Sequence, residues 1–233
     1  MLSNTFQVAI LDDFLDAFAR IPRAQQKKVT KFLRRFRDDP TSASINYESI
    51  SDFADPKMRS VRIDQAWRAI VVKPDQGNVY MLLWVDHHDK AYAWARNKRV
   101  EVHPDTGTLQ ILSTVRVEVP VAVEAGPALF EEVRDKDLRK LGVPQDRLEA
   151  VRAVSELADL GELQPVLPPE AFEALSYLAD GEGLPEVLRA MEPAPETVDT
   201  QDFSAALQRE ETQRRFRVLD SDEELEAMLD APL

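Results

Sequence analysis

The chain of 233 residues contains no cysteine. That absence excludes a disulfide framework, a thiol nucleophile, a Cys-ligated zinc and an iron–sulfur cluster. No apolar run approaches the roughly 18–20 residues of a membrane span. The segment Met1–Asp13 carries two acids and no basic stretch, so it does not read as a signal peptide, and the cytoplasm is the expected location. No Gly-x-x-x-x-Gly-Lys-[Ser/Thr] occurs, so these residues offer no P-loop for ATP hydrolysis. Histidine is scarce: His87, His88 and His103. Hydrophobic residues at 44% and charged residues at 30% are ordinary globular values, which argues against wholesale disorder. The length fits one large or two small domains.

The net charge of −13 conceals a division. Residues 1–112 hold 17 basic and 14 acidic side chains, a net of +3, whereas residues 113–233 hold 12 and 28, a net of −16. Two differently solvated surfaces would give this pattern. So would a polyanion-binding domain followed by an acidic segment that covers it.

Phe6 to Leu11 reads as a first strand, and Phe14, Leu15, Phe18 and Ile21 recur at helical spacing. A second helix runs from Arg23 to Arg37 with Val29, Phe32, Leu33 and Phe36 on one face, ending before Pro40. The window Arg20–Arg37 contains eight basic residues and no acid. Lys27, Lys31, Arg34 and Arg35 on its outer face are therefore candidate phosphate contacts. Three strand-like runs follow, Met58–Ile63, Trp67–Lys73 and Val79–Val85, with Pro74–Asn78 as a hairpin loop. A short helix over Ala91–Asn97 and a hairpin over Val100–Leu112 complete an α+β layout, with an antiparallel sheet and two N-terminal helices on one face.

The run Arg59-Ser60-Val61-Arg62-Ile63-Asp64-Gln65-Ala66-Trp67-Arg68-Ala69-Ile70-Val71 resembles the paired basic strands of the RelE/ParE toxin fold. Val85-Asp86-His87-His88-Asp89-Lys90-Ala91-Tyr92 is similar to that family's closing element. Together the two cover roughly residues 5–100. Members of the family include ribosome-dependent mRNA endoribonucleases and gyrase inhibitors. The resemblance implies in-line attack of a 2′-hydroxyl on the adjacent phosphate, which needs a base, an acid and cations for the developing charge. Arg68 matches the phosphate-stabilising arginine, with Lys57, Arg59 and Arg62 as neighbouring cations. His87 and Tyr92 occupy acid–base or stacking positions, and Glu48, read as a loop residue, is the base candidate. His88 stands where an arginine is common, and it is counted with the nucleic-acid contacts. Asp86 and Asp89 place negative charge beside it.

Other roles compete for these residues. Arg62 and Arg68 could pair with Asp64, Asp52 or Asp55 on a sheet face. Asp86-His87-His88-Asp89 contains ligands that suit zinc or manganese, but adjacent side chains on an extended segment point to opposite faces, so no metal site and no cofactor is expected. Trp67, Trp84 and Trp94 read as core in preference to base-stacking platforms.

Residues 113–126, containing the β-prone run Val115–Val123, read as a linker. An acidic helical domain over 127–191 follows, with helices over Pro127–Leu141, Gln145–Leu160, Pro168–Ala179 and Leu184–Met191. Residues 192–202, including Glu192-Pro-Ala-Pro-Glu-Thr-Val-Asp-Thr200, read as a flexible linker. Residues 203–233 read as a helical tail with a capping box at Ser221-x-x-Glu224. The chain as a whole also looks like the N-terminal leader of UvrD/Rep-type superfamily 1 DNA helicases. That likeness is carried by Val79–Ala95 and by Phe216-Arg217-Val218-Leu219 through Glu223-Glu224-Leu225 to Ala231-Pro232-Leu233. It implies a nucleic-acid-binding regulatory region whose motor in cis lies beyond these residues. Two alternatives stand beside it: a RelE-type endoribonuclease masked by the acidic residues 127–233, and a ParE-type protein-interaction module. RNA or DNA is the expected partner, and no membrane is.

Overall fold

A computed structural model describes residues 6–73, 77–115, 127–219 and 221–230. Most of the hairpin loop at Pro74–Asn78 and of the linker at 113–126 lies outside them. The described chain forms two units, one built from residues up to Arg99 together with residues from Gln213 onward, the other from Val100–Thr212.

The first unit starts with strand β1 (Gln7–Leu11), whose last four residues are buried, and passes directly into helix α1 (Asp12–Arg20). Asp12 and Asp13 in the first turn and Arg20 in the last complement the helix dipole. Pro22 precedes α2 (Arg23–Asp38), and its carbonyl accepts the amides of Gln25 and Gln26 at 2.7 and 3.0 Å. The strands β2 (Tyr47–Glu48), β3 (Met58–Arg62), β4 (Trp67–Val72) and β5 (Val79–His87) follow, and then α3 (His88–Arg96). Near the C-terminus come β8 (Phe216–Val218) and α11 (Asp222–Asp230).

These strands make one sheet in the order β2-β3-β4-β5-β1-β8. Neighbours from β2 to β5 are antiparallel, but β1 runs parallel to β5, so the sheet is mixed where antiparallel pairing was expected. The chain between β1 and β5 holds two helices and three strands, a connection long enough for the crossover that parallel pairing requires. Val61, Ala69, Val71, Tyr80 and Leu82 meet Phe14, Phe18, Phe32, Leu33 and Phe36 of α1 and α2 on one face of the sheet. Each large apolar side chain buried there contributes about 1.5–3 kcal/mol. Trp84 and Trp94 stack on each other at 5.3 Å and 8°, so each ring already covers one face of the other.

Residues 213–230 belong to this unit, not to a free tail. Ala9, Ile10 and Leu11 pair with Val218, Arg217 and Phe216. Phe216, Leu219 and Leu225 are buried, and Leu219 and Leu225 join the core under α1 and α2. Arg217 pairs with Asp12 at 3.0 Å and Arg34 with Glu226 at 2.5 Å. The Ser221 hydroxyl accepts the Glu224 amide at 3.1 Å and starts α11 as the capping pattern foretells.

The second unit begins within strand β6 (Lys98–Val102), which pairs with β7 (Leu109–Ser113) in a hairpin. Its helices are α4 (Asp135–Lys140), α5 (Leu148–Arg152), α6 (Leu157–Leu163), α7 (Pro169–Ala179), α8 (Leu184–Ala190), α9 (Phe203–Leu207) and α10 (Glu210–Gln213). They bury Phe130, Leu138, Val151, Leu160, Leu163 and Leu175 in one cluster. The helix expected over Pro127–Leu141 is confined to Asp135–Lys140, and it ends in Gly142 at φ +87°. There the Val143 amide reaches the Leu138 carbonyl and the Gly142 amide reaches that of Arg139, the paired bonds of a Schellman cap. The helix expected over Gln145–Leu160 is broken at Ala153–Glu156, because the Asp159 carboxylate takes the amides of Ser155 and Glu156 at 2.9 and 3.1 Å and starts α6 afresh. The segment read as a flexible linker is tethered within this unit: Glu192 pairs with Arg209 at 3.0 Å, and Arg209 also donates to the Pro193 carbonyl.

His103 stabilises the hairpin turn. Its Nδ1 accepts the amides of Asp105 and Thr106 at 3.2 and 3.3 Å, which leaves Nε2–H to donate to the Val143 carbonyl at 3.2 Å. Burial pushes its pKa down, partly countered by the Val143 hydrogen bond.

Candidate functional site

The face of the sheet opposite α1 and α2 carries the polar residues. Strand alternation puts Ser60 and Arg62 of β3 on that face, and the register sets Glu48 across from Ser60, Arg68 across from Arg62 and Asp86 across from Arg68. Glu48 lies on β2, not in a loop, and its carboxylate is 3.6 Å from the Arg62 guanidinium and 3.8 Å from Arg68 Nε. The Ser60 hydroxyl is 3.5 Å from the Tyr92 phenol on α3. Glu48, Arg62, Arg68 and Tyr92 are thus brought to one face, held by four different elements.

The two arginines are not equivalent. The Arg62 side chain is 55% exposed and has Glu48 as its ion partner, so it can meet a phosphate. The Arg68 side chain is 8% exposed and donates Nη1 to the carbonyls of Asp64 and Trp67 at 2.9 and 3.1 Å. It ties the β3–β4 turn to β4 and places a second positive charge beside Glu48. The same turn is fastened from outside: Lys28 on α2 reaches Asp64 at 2.6 Å, and Asp64 takes the amides of Ala66 and Trp67. Burial pushes the Asp64 carboxyl up, but the Lys28 hydrogen bond and the two amides outweigh it and hold the group below its ordinary value. Arg62 and Arg68 therefore pair with Glu48, while Asp64, Asp52 and Asp55 go to Lys28, Arg96 and Lys57.

The other predicted cations divide. Arg59 belongs by alternation to the α1–α2 side, and its Nη1 donates to the carbonyls of Pro56 and Met58. Lys57 lies 3.3 Å from the buried Asp55. Lys27, Lys31, Arg34 and Arg35 line a groove of about 790 Å³ along α2, closed on its far side by Glu226 and Leu229 of α11. This is a second basic surface of the same unit, opposite in sheet face to Glu48.

His87 and His88 straddle the junction of β5 and α3. His87 ends the strand and packs edge-on to Trp67 at 6.3 Å, and the His88 ring lies edge-on to Tyr92 at 6.4 Å. The alternation expected of an extended segment stops here. The turn into α3 brings the two imidazoles to 4.5 Å between ring centres, where opposite faces were expected.

Sequence reasoning passed over Ser60 as a site residue. Its signal was a small polar residue between Arg59 and Arg62 in a strand that is otherwise apolar or basic, and it is fully buried between Glu48 and Tyr92.

The fold defines an α+β protein in which a six-stranded mixed sheet bears helices and a largely helical region follows. The structure is similar to a chain of the archaeal RelE–RelB complex from Pyrococcus horikoshii OT3, at 17% identity and a TM-score of 0.30, over 37% of this chain and 99% of that one. A likeness of that size adds nothing to the reading of the site, which rests on its geometry. No protein family and no curated protein matches the sequence. The expected helicase setting finds no support among these comparisons. Among the described residues no helix is long and apolar enough to cross a membrane.

Proposed function

We propose that the first unit is a RelE-like endoribonuclease that cleaves RNA by attack of a 2′-hydroxyl on its own phosphodiester. The observation that supports this is the convergence of Glu48, Arg62, Arg68 and Tyr92 on one sheet face. Glu48 takes the 2′-hydroxyl proton, Arg62 neutralises the charge that grows on the phosphate, and Arg68 places a second positive charge beside Glu48. Tyr92, anchored through Ser60, protonates the leaving 5′-oxygen. The basic groove along α2 gives the rest of the RNA chain a path, and Glu226 competes with it for Arg34.

The full chain is incubated with single-stranded RNA, with messenger RNA on ribosomes, and with DNA of the same sequence. Cleavage of RNA to 2′,3′-cyclic phosphate ends, with DNA untouched, is the expected result. Glu48→Gln should lower the rate by about 10²–10⁴-fold. Cutting of DNA, or an unchanged rate in Glu48→Gln, would overturn the mechanism. Salt-sensitive binding without cleavage in any of the three would leave a nucleic-acid-binding module in its place.

A further inference from the structure

We infer that His87, His88 and Asp89 form a binding site for a first-row divalent metal ion, with zinc the best match. One ligand atom from each residue lies within 4.8 Å of the other two. His88 Nε2 is 3.0 Å from one Asp89 oxygen and His87 Nδ1 is 3.9 Å from the other, so a single carboxylate stands between two imidazoles. In an occupied site with metal–ligand bonds of about 2.0–2.2 Å, the ligand atoms sit roughly 3–3.5 Å apart. The closure needed is less than about 2 Å. The imidazole side chains are 42% exposed and that of Asp89 is 78% exposed, so they can make it by turning about their own side-chain bonds.

The surrounding charge fits a cation better than a phosphate. Asp86 and Asp89 flank the pair, and a phosphate arriving there would meet two carboxylates. The start of α3 presents about half a positive charge, which opposes a cation, but two full negative charges outweigh it. Asp86 also accepts the His87 amide at 2.7 Å, fixing the backbone from which the first imidazole projects. His88 Nδ1 is buried without a hydrogen-bond partner, so Nε2 is the nitrogen turned toward the cluster. Two imidazoles and one carboxylate select zinc, nickel or cobalt over magnesium or calcium, and three protein ligands leave at least one position for water. The inference is independent of the ribonuclease reading, because 2′-hydroxyl attack needs no metal and uptake needs no cleavage.

The absence of cysteine and the engagement of both His103 nitrogens make the test clean. The 233-residue chain, free of any tag, is dialysed against zinc, and the bound metal is measured. Cobalt is added separately while the imidazole proton resonances are followed. One zinc per chain is expected, undiminished by excess magnesium, together with selective cobalt broadening of His87 and His88 and a sharp His103. Asp89→Asn should weaken uptake at least about tenfold, and His87→Ala combined with His88→Ala should abolish it, while circular dichroism shows the fold retained. No uptake at a large excess of zinc would overturn the inference. So would equal uptake by the double variant, or broadening of His103 in step with the other two.

Discussion

Arg62 and Arg68 face each other across one strand pair, yet replacing each with alanine should produce different losses. Arg68→Ala removes two hydrogen bonds from a charged donor to the carbonyls of Asp64 and Trp67. It also leaves Glu48 without the more buried of its two cations. Bonds of that kind are worth about 1.5–3 kcal/mol each, but part of the loss is recovered as water enters, so a net cost of about 3 kcal/mol is expected. At about 2–4 °C per kcal/mol for a chain of this size, the midpoint should fall by roughly 6–12 °C. Arg62→Ala removes an exposed partner 3.6 Å from Glu48, worth about 0–1 kcal/mol, and should leave the midpoint within about 4 °C. RNA affinity should show the reverse. Arg62→Ala should weaken binding and reduce the slope of log affinity against log salt by about 0.7, the signature of one lost phosphate contact on a single strand. Thermal melts and binding titrations at several salt concentrations measure both. A more destabilising Arg62→Ala, or an unchanged salt slope, would refute the division of labour between the two arginines.

Phe216→Ala should cost about 3–5 kcal/mol in urea unfolding, because a fully buried ring is removed from the strand that completes the sheet; a loss under about 1 kcal/mol would mean that β8 is not part of it. Gly142→Ala should destabilise the second unit by about 1–2 kcal/mol, since its φ of +87° is left-handed and the added methyl carbon would meet Glu170 Cγ at 3.3 Å. The second unit should also lose stability on acidification. His103 has a lowered pKa when folded, so the unfolded chain binds more protons between that value and the ordinary one near 6.5. Stability is therefore fully present above that ordinary value and declines as pH falls through the window, by up to about 1.4 kcal/mol per pH unit. His103→Gln should flatten this slope in urea midpoints measured as a function of pH.

The amphipathic helix α2 was legible because Val29, Phe32, Leu33 and Phe36 recur at helical spacing, and β3, β4 and β5 were legible as apolar runs bounded by turn residues. The β2 strand was not, since two residues carry no period, and Glu48 was consequently misplaced in a loop. The parallel pairing of β1 with β5 and the return of β8 to β1 depend on contacts far apart along the chain, which local patterning does not encode. In the site, residue types were readable but not their division between faces: Arg59 and Arg62 are an odd number of residues apart and so fall on opposite faces of β3. The histidine pair shows the same limit from the other side, because the alternation rule fails where a strand turns into a helix.

The return of β8 to β1 has a consequence for how the protein is made. Asp12 and Arg217 are 205 residues apart. At roughly 5–20 residues per second of synthesis, the edge of β1 waits about 10–40 seconds for the strand that covers it. Throughout that interval the nascent chain presents an open, apolar strand edge while the whole of Val100–Thr212 is made. The arrival of Phe216–Val218 therefore governs whether the first unit closes on itself or pairs with another chain.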